Sequence, residues 1–263
     1  MPEPAIRLTC FLGVLLAMGL WEALAPRRRQ SIGRASRWPH NLALVALNTL
    51  AVRLLFPLTA VGMATIAAAK GWGLFHLLPL SLWVAVPAAV VALDLIIYGQ
   101  HMAFHLVPPL WRLHRVHHAD LAFDVTTGLR FHPGEIVVSM AIKLAAVLVL
   151  GAPPLAVLIF EVLLNAMAMF NHANVDLPVW IDAILRRVVV TPDMHRVHHS
   201  VDWLEANRNF GFNLPWWDRL FGTYLAQPAL GHAGMTIGTA GFGDPAELRL
   251  DRMLTQPARS GGG

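Results

Sequence analysis

The residues of this chain best equipped for chemistry are its 13 histidines, and most of them are spaced rather than scattered. His101 and His105 stand at i and i+4, a spacing that puts two imidazoles on one helix face with Cβ atoms about 5–6 Å apart. His114, His117 and His118 form a His-x-x-His-His box, and His195, His198 and His199 form a second. Within such a box the i+3 and i+4 residues straddle i, so three imidazoles are expected to fan toward one point. Two boxes and one pair supply eight nitrogens, with His132 and His172 as further candidates. His40, His76 and His232 fall outside the pattern and read as interface or loop residues.

The ligand count sets the expected stoichiometry. A catalytic zinc uses about three protein ligands and a structural one about four. The histidines of the pattern exceed what one ion can use, so two ions are expected. Cys10 is the only cysteine, which leaves neither a disulfide framework nor a thiolate site. Imidazole serves iron, zinc, copper or nickel, so the ligands alone do not choose the metal. No Glu-x-x-His pair occurs, which argues against the carboxylate-rich di-iron bundles.

The elements that must position these side chains are apolar helices. Apolar residues make up 56% of the 263 and charged residues 14%, against about 25% charged in an ordinary soluble domain. The mean hydropathy of +0.54 is too high for one water-soluble core. The net charge of +4 is carried mostly by arginines flanking apolar stretches, a membrane-topology signal, so no nucleic-acid partner is expected. Ala5–Leu24 is long enough for a first span and is followed by Arg27, Arg28, Arg29, Arg34 and Arg37. The positive-inside rule places the N-terminus outside and this arginine loop in the cytoplasm. A signal peptide ending near Ala23–Ala25 is the competing reading, disfavoured because the charge follows the apolar run.

Asn41–Ala69 is then expected to cross outward and Leu74–Tyr98 to return, with Lys70–Gly73 as a tight turn and Pro57 and Pro87 as candidate kinks. Residues 99–135 carry the first two histidine groups on the cytoplasmic side. Residues 136–170 form a helical hairpin through Gly151–Pro154 that crosses or dips into the bilayer. Residues 171–257 form a cytosolic cap with the last box, and 258–263 a tail. The expected fold is thus a single all-α integral membrane domain. Four to five transmembrane or re-entrant helices would carry a cytosolic helical cap with a His-rich dimetal site.

Asp94 lies seven residues before His101, and Glu161 and Asn165 lie eleven and seven before His172. Acids inside spans are costly and face functional interiors, so these residues are candidates to hydrogen-bond the ligating imidazoles and fix their tautomers. Simple interhelical hydrogen bonds are the plainer alternative. Trp38, Trp72, Trp111, Trp216 and Trp217 read as interfacial anchors.

His101–His105, Leu113–His118, Phe131–Pro133, Asn171–His172 and Thr191–Ser200 together resemble the fatty acid hydroxylase/sterol desaturase superfamily. The stretch from Asn209 to Tyr224, with Asn-Phe-Gly and Trp-Asp-Arg-Leu-Phe-Gly-Thr, resembles the segment that follows the last histidine box. Two departures are visible. Met102 stands where many members have arginine, and Phe210 where tyrosine is frequent.

The resemblance implies a membrane-bound, non-haem oxygenase with two iron ions, although zinc could occupy the same nitrogens. It implies His101, His105, His114, His117, His118, His172, His195, His198 and His199 as ligands. His132, in the His-Pro motif, and Asn209 are implied as supporting residues. The implied reaction is O₂-dependent hydroxylation or desaturation of a lipid drawn from the bilayer. Electrons would come from a cytosolic electron-transfer protein or reductase, since no nucleotide-binding fingerprint is present. A zinc-dependent membrane hydrolase and a metal transporter or sensor are the competing functions. The first leaves half the histidines unused, and the second favours sites near the bilayer midplane.

Overall fold

The computed structural model describes residues 2–260, and among them there is no strand beyond two isolated bridges. Five helical segments are long and apolar enough to cross a membrane. The chain begins with α1 (Glu3–Leu24) and α2 (Arg34–Leu55), followed by α3 (Ala60–Lys70), α4 (Leu82–Leu106) and α5 (Pro108–His118). The hairpin helices α6 (Pro133–Leu150) and α7 (Pro154–Asn171) come next, then short helices that include α8 (Val179–Leu185) and α9 (Pro192–His198). Leu8, Leu12, Leu16 and Leu20 form an exposed stripe along α1, a surface suited to lipid rather than water.

Two expected crossings keep their apolar length but not their expected helix bounds. Asn41–Ala69 is not one helix. Pro57 cannot continue the hydrogen-bond ladder and pushes Phe56 into extended backbone, φ −117° and ψ 110°. The chain restarts at α3, where the Thr59 hydroxyl accepts from Gly62 N at 3.0 Å. The return crossing is helical only from Leu82, because 74–77 form a single 3₁₀ turn and 78–81 are not helical. In exchange, α4 runs on to Leu106 and carries both His101 and His105. Pro108 then ends α4 by holding Val107 extended, and the same proline opens α5.

The core between α3, α4, α6 and α7 is built from small residues. Ala60, Ala64, Ala89, Ala152 and Ala156 are almost fully buried beside Leu93, Val147 and Phe160. Without a hydrophobic drive between helices in lipid, small side chains let backbones approach and gain packing energy. The two ends of the bundle are distinct. At one, the turn after α3 packs on the α6–α7 turn so closely that a Cβ on Gly73 would lie 2.1 Å from Gly151 N. At the other, the arginine loop after α1 meets the end of α7. There Arg27 N donates to Asn174 O at 2.9 Å and Asp176 N to Ala25 O at 3.0 Å. The histidine-bearing ends of α4, α5, α7 and α9 gather at this second end.

Candidate metal centre

The nine histidines that the resemblance implied are all buried and fall into two groups. His101, His105, His114, His118 and His198 form one, and His117, His172, His195 and His199 the other. In each group one ring nitrogen per residue lies within 4.8 Å of the others. The boxes do not fan toward one point, as the spacing alone suggested. In each box two members go to one group and the third to the other: His117 leaves His114 and His118, and His198 leaves His195 and His199. Successive side chains on a helix point about 100° apart, so neighbours such as His117 and His118 are directed to different centres.

Backbone and carboxylate acceptors fix the tautomers. The Nδ1–H of His101 donates to Phe210 O, and that of His198 to Arg208 O, both at 2.8 Å. His172 Nδ1 donates to Ala168 O, and His114 Nδ1 to the Glu135 carboxylate, both at 2.7 Å. Each of these four rings therefore turns an unprotonated Nε2 inward. His101 Nε2 lies 3.1 Å from that of His114 and 3.0 Å from that of His198. His172 Nε2 lies 3.1 Å from those of His117, His195 and His199.

In the first group three such lone pairs face one another and repel unless a cation lies among them, and in the second the lone pair of His172 faces three rings whose Nδ1 atoms have no partner. Nitrogens held about 2.0–2.1 Å from a common ion and at right angles are about 3 Å apart. The donor set thus fits a metal ion in each group. Burial adds to the fit. It holds His172 and His198 down to about 3. Burial likewise drives His117, His118, His195 and His199 well below the usual histidine value. These rings are neutral at physiological pH, the state that binds metal.

The surrounding chain explains why the rings stand where they do. Asn209 adopts a left-handed φ of 53°, and its side chain donates to Met194 O and Leu225 O. It thereby shapes the loop whose flanking carbonyls, Arg208 and Phe210, hold His198 and His101. Asp218 accepts from Phe210 N and Gly211 N at 2.8 Å, and a Cβ on Gly211 would lie 2.6 Å from Asp218 Oδ2. Arg37 on α2 reaches the segment after α5, donating to Asp120 at 2.7 and 2.8 Å and to Asp124 at 2.5 Å. Burial raises the Asp120 carboxyl, but the adjacent Arg37 charge outweighs it and holds the group at about 2.

None of the five supporting candidates named from the sequence hydrogen-bonds a cluster imidazole. Asp94 accepts from Trp217 Nε1 at 2.8 Å and from Leu214 N at 3.2 Å, tying α4 to the last segment. Glu161 accepts from Lys143 and Arg7, and Asn165 donates to the Glu161 carbonyl. These two side chains lie within the span, too far from the end of α7 to reach His172. His132 caps α6 through Gly134 N and faces Leu254 O. Asn209 acts only through its neighbours' carbonyls. Trp217 and Trp38 spend their indole N–H groups on Asp94 and Asp124, and Trp111 packs on His105. The residue that sequence reasoning missed is Glu135, in the first turn of α6, and its only cue is a lone acid two residues after His-Pro.

A cavity of about 520 Å³ adjoins the first histidine group and runs into the membrane-spanning bundle. His101, His114 and Glu135 line one end, and apolar residues such as Phe104, Phe131 and Phe212 follow.

Residues 86–223, just over half of the chain, match the family described as fatty acid hydroxylase. An ornithine lipid hydroxylase of Rhizobium tropici is 34% identical over 143 residues, 52% of this chain and 42% of that protein. An alkylglycerol monooxygenase of Danio rerio is 30% identical over 64% of this chain and 37% of its own length. Its Homo sapiens counterpart is 26% identical over 53% of this chain and 30% of its own length. The chain therefore covers less than half the length of these relatives. No solved structure matches it. The matched segment carries every cluster histidine and the loop that orients two of them: the chain is a membrane protein of the fatty acid hydroxylase family.

Proposed function

We propose that this chain is an O₂-dependent di-iron hydroxylase acting on a C–H bond of a membrane lipid. The observation that carries the reading is a pair of buried, inward-facing imidazole clusters, the first of which borders a cavity embedded in the spanning bundle. The relatives, an ornithine lipid hydroxylase and alkylglycerol monooxygenases, favour hydroxylation over desaturation. Held by the nine histidines, iron would supply the activation of O₂ needed to attack an unactivated C–H bond. Overall, one oxygen atom of O₂ enters the C–H bond and the other leaves as water, with two electrons and two protons from outside.

The residues of the chain orient and enclose. Glu135 holds His114 in the tautomer that presents Nε2, and the Phe210 and Arg208 carbonyls do the same for His101 and His198. Phe104, Phe131 and Phe212 keep the cavity beside the centre apolar, so a hydrocarbon segment displaces water there. The arginine loop lies at the same end as the histidines, which by the positive-inside rule faces the centre to the cytosol and the N-terminus outward. A cytosolic electron-transfer protein or reductase would then deliver the electrons.

The test is anaerobic purification of the full chain with metal analysis, followed by ¹⁸O₂ turnover on extracted membrane lipids. Two irons per chain and lipid product carrying one ¹⁸O atom are expected. One zinc per chain, or product formed without O₂, would sink the reading.

A further inference from the structure

The cavity carries more charge than a hydrocarbon segment requires. Lys143 Nζ donates to one oxygen of Glu161 at 2.8 Å, and Arg7 donates to the other. Arg7 Nε also donates to Glu3 at 2.8 Å. Arg53 lines the same cavity and is exposed. Among the described residues it has no ion-pair partner, so Arg7, Arg53 and Lys143 share only Glu161 and Glu3, while Glu135, the other carboxylate of the lining, is spent on His114 at the metal end. Ionised side chains within spanning helices mark functional sites when they line a cavity. The place of Lys143 relative to the metal centre is set by α6. Glu135 and Lys143 are eight residues apart on that helix, or about 12 Å along its axis.

The route in is also visible. Near the metal end α1 and α2 meet, with a Cβ on Gly19 lying 3.2 Å from Trp38 and Arg34 donating to Glu22 at 3.3 Å. Further out, Arg7 and Phe11 of α1 and Thr49 and Arg53 of α2 all line the cavity, and Thr49 and Arg53 are exposed. Arg53 therefore stands on the exposed outer side of the cavity, and Arg7 and Lys143 line it further in.

We infer that Arg7, Arg53 and Lys143, with Glu161 as their shared counter-ion, form a subsite for an anionic lipid group, a carboxylate or phosphate, about 12 Å along α6 from the metal end. The inference rests on the reading that a lipid occupies this cavity. Glu161 holds Arg7 and Lys143 in place, and their excess charge is left for the ligand. A charged headgroup fixed here would set which carbon of the chain reaches His101 and His114.

The test is competition for tritiated palmitate on the full, iron-loaded chain in a neutral detergent, using palmitate, hexadecyl phosphate, hexadecanol and hexadecylamine. Hydrogen bonds to charged groups predict that the two anions bind at least about tenfold more tightly than hexadecanol, with the amine weakest. Lys143→Met should bring the anion-to-alcohol ratio close to unity while hexadecanol affinity holds, and Lys143→Arg should keep the ratio. Glu161→Gln should shift it the other way, toward tighter anion binding, which a purely structural pin between helices would not do.

Equal binding of anions and alcohol, or uniform weakening of all four ligands by Lys143→Met, would overturn the subsite while leaving the lipid reading intact. Failure of all four to bind would remove the lipid reading as well. Displacement of palmitate by acetate or inorganic phosphate would assign the cations to a free anion instead of a headgroup.

Discussion

Glu135 is the side chain on which the first histidine group most directly depends, because its carboxylate is the sole observed partner of His114 Nδ1. Glu135→Gln keeps the shape but weakens the acceptor. Iron affinity measured against a competing chelator should fall by about 10–100-fold, while Asp94→Asn, which frees Trp217 and no imidazole, should leave it within about twofold. The neutral rings also predict a pH dependence. The unfolded chain takes up protons near pH 6.5, whereas folded His172 and His198 resist them down to about 3. Their contribution to stability is therefore full above about pH 6.5 and drains away as the pH falls toward about 3. The thermal midpoint of chelator-treated protein should drop on going from about pH 7 to about pH 5, and a flat midpoint over that range would contradict neutral burial. At this scale the clustered histidines were legible, eight of them from their repeated spacing and His172 only from the resemblance. Glu135 was not, because a lone acid in a helix's first turn has the same appearance whether it caps the helix or reaches across to α5.

Among the elements, the segment from Arg208 to Asp218 shows how a loop can govern a centre to which it contributes no imidazole. Asn209→Ala places a Cβ residue without a compensating side chain at φ 53° and removes the bonds to Met194 O and Leu225 O. Destabilisation of about 1–2 kcal/mol is expected, with iron lost at lower chelator concentration. Asn209→Gly relieves the backbone and should recover only part of that loss. The apolar runs foretold α1, α6 and α7 to within a few residues, since nothing interrupts them but a Gly–Pro turn. In Asn41–Ala69 Pro57 was legible as a kink, but hydropathy continues smoothly through it and gives no sign that the backbone breaks there outright. The anchoring of α2 to the 119–132 segment through Arg37, Asp120 and Asp124 was equally hidden. Arg37 counts as a topology charge in the sequence, yet it is fully buried in the fold.

Seen as a whole molecule, the bundle has an arginine-rich end that holds the histidines and a turn-built end at Gly73 and Gly151. That asymmetry makes its orientation measurable. With Cys10 replaced by serine, a single cysteine at Arg29 should resist a membrane-impermeant maleimide in intact cells, and one at Gly71 should react. The opposite pattern would place the centre outside. The division of each histidine box between the two groups has a further consequence. The last turn of α5 and the last turn of α9 each carry histidines of both groups, so an ion held by one group would immobilise the scaffold of the other. The ordering cost falls largely on the first ion, and the second binds to a scaffold already set. Loading should therefore be cooperative. Native mass spectra taken during iron titration should contain chains with no metal and chains with two, and few with one. By the same linkage, alanine at His117, a ligand of the second group only, should empty both centres together.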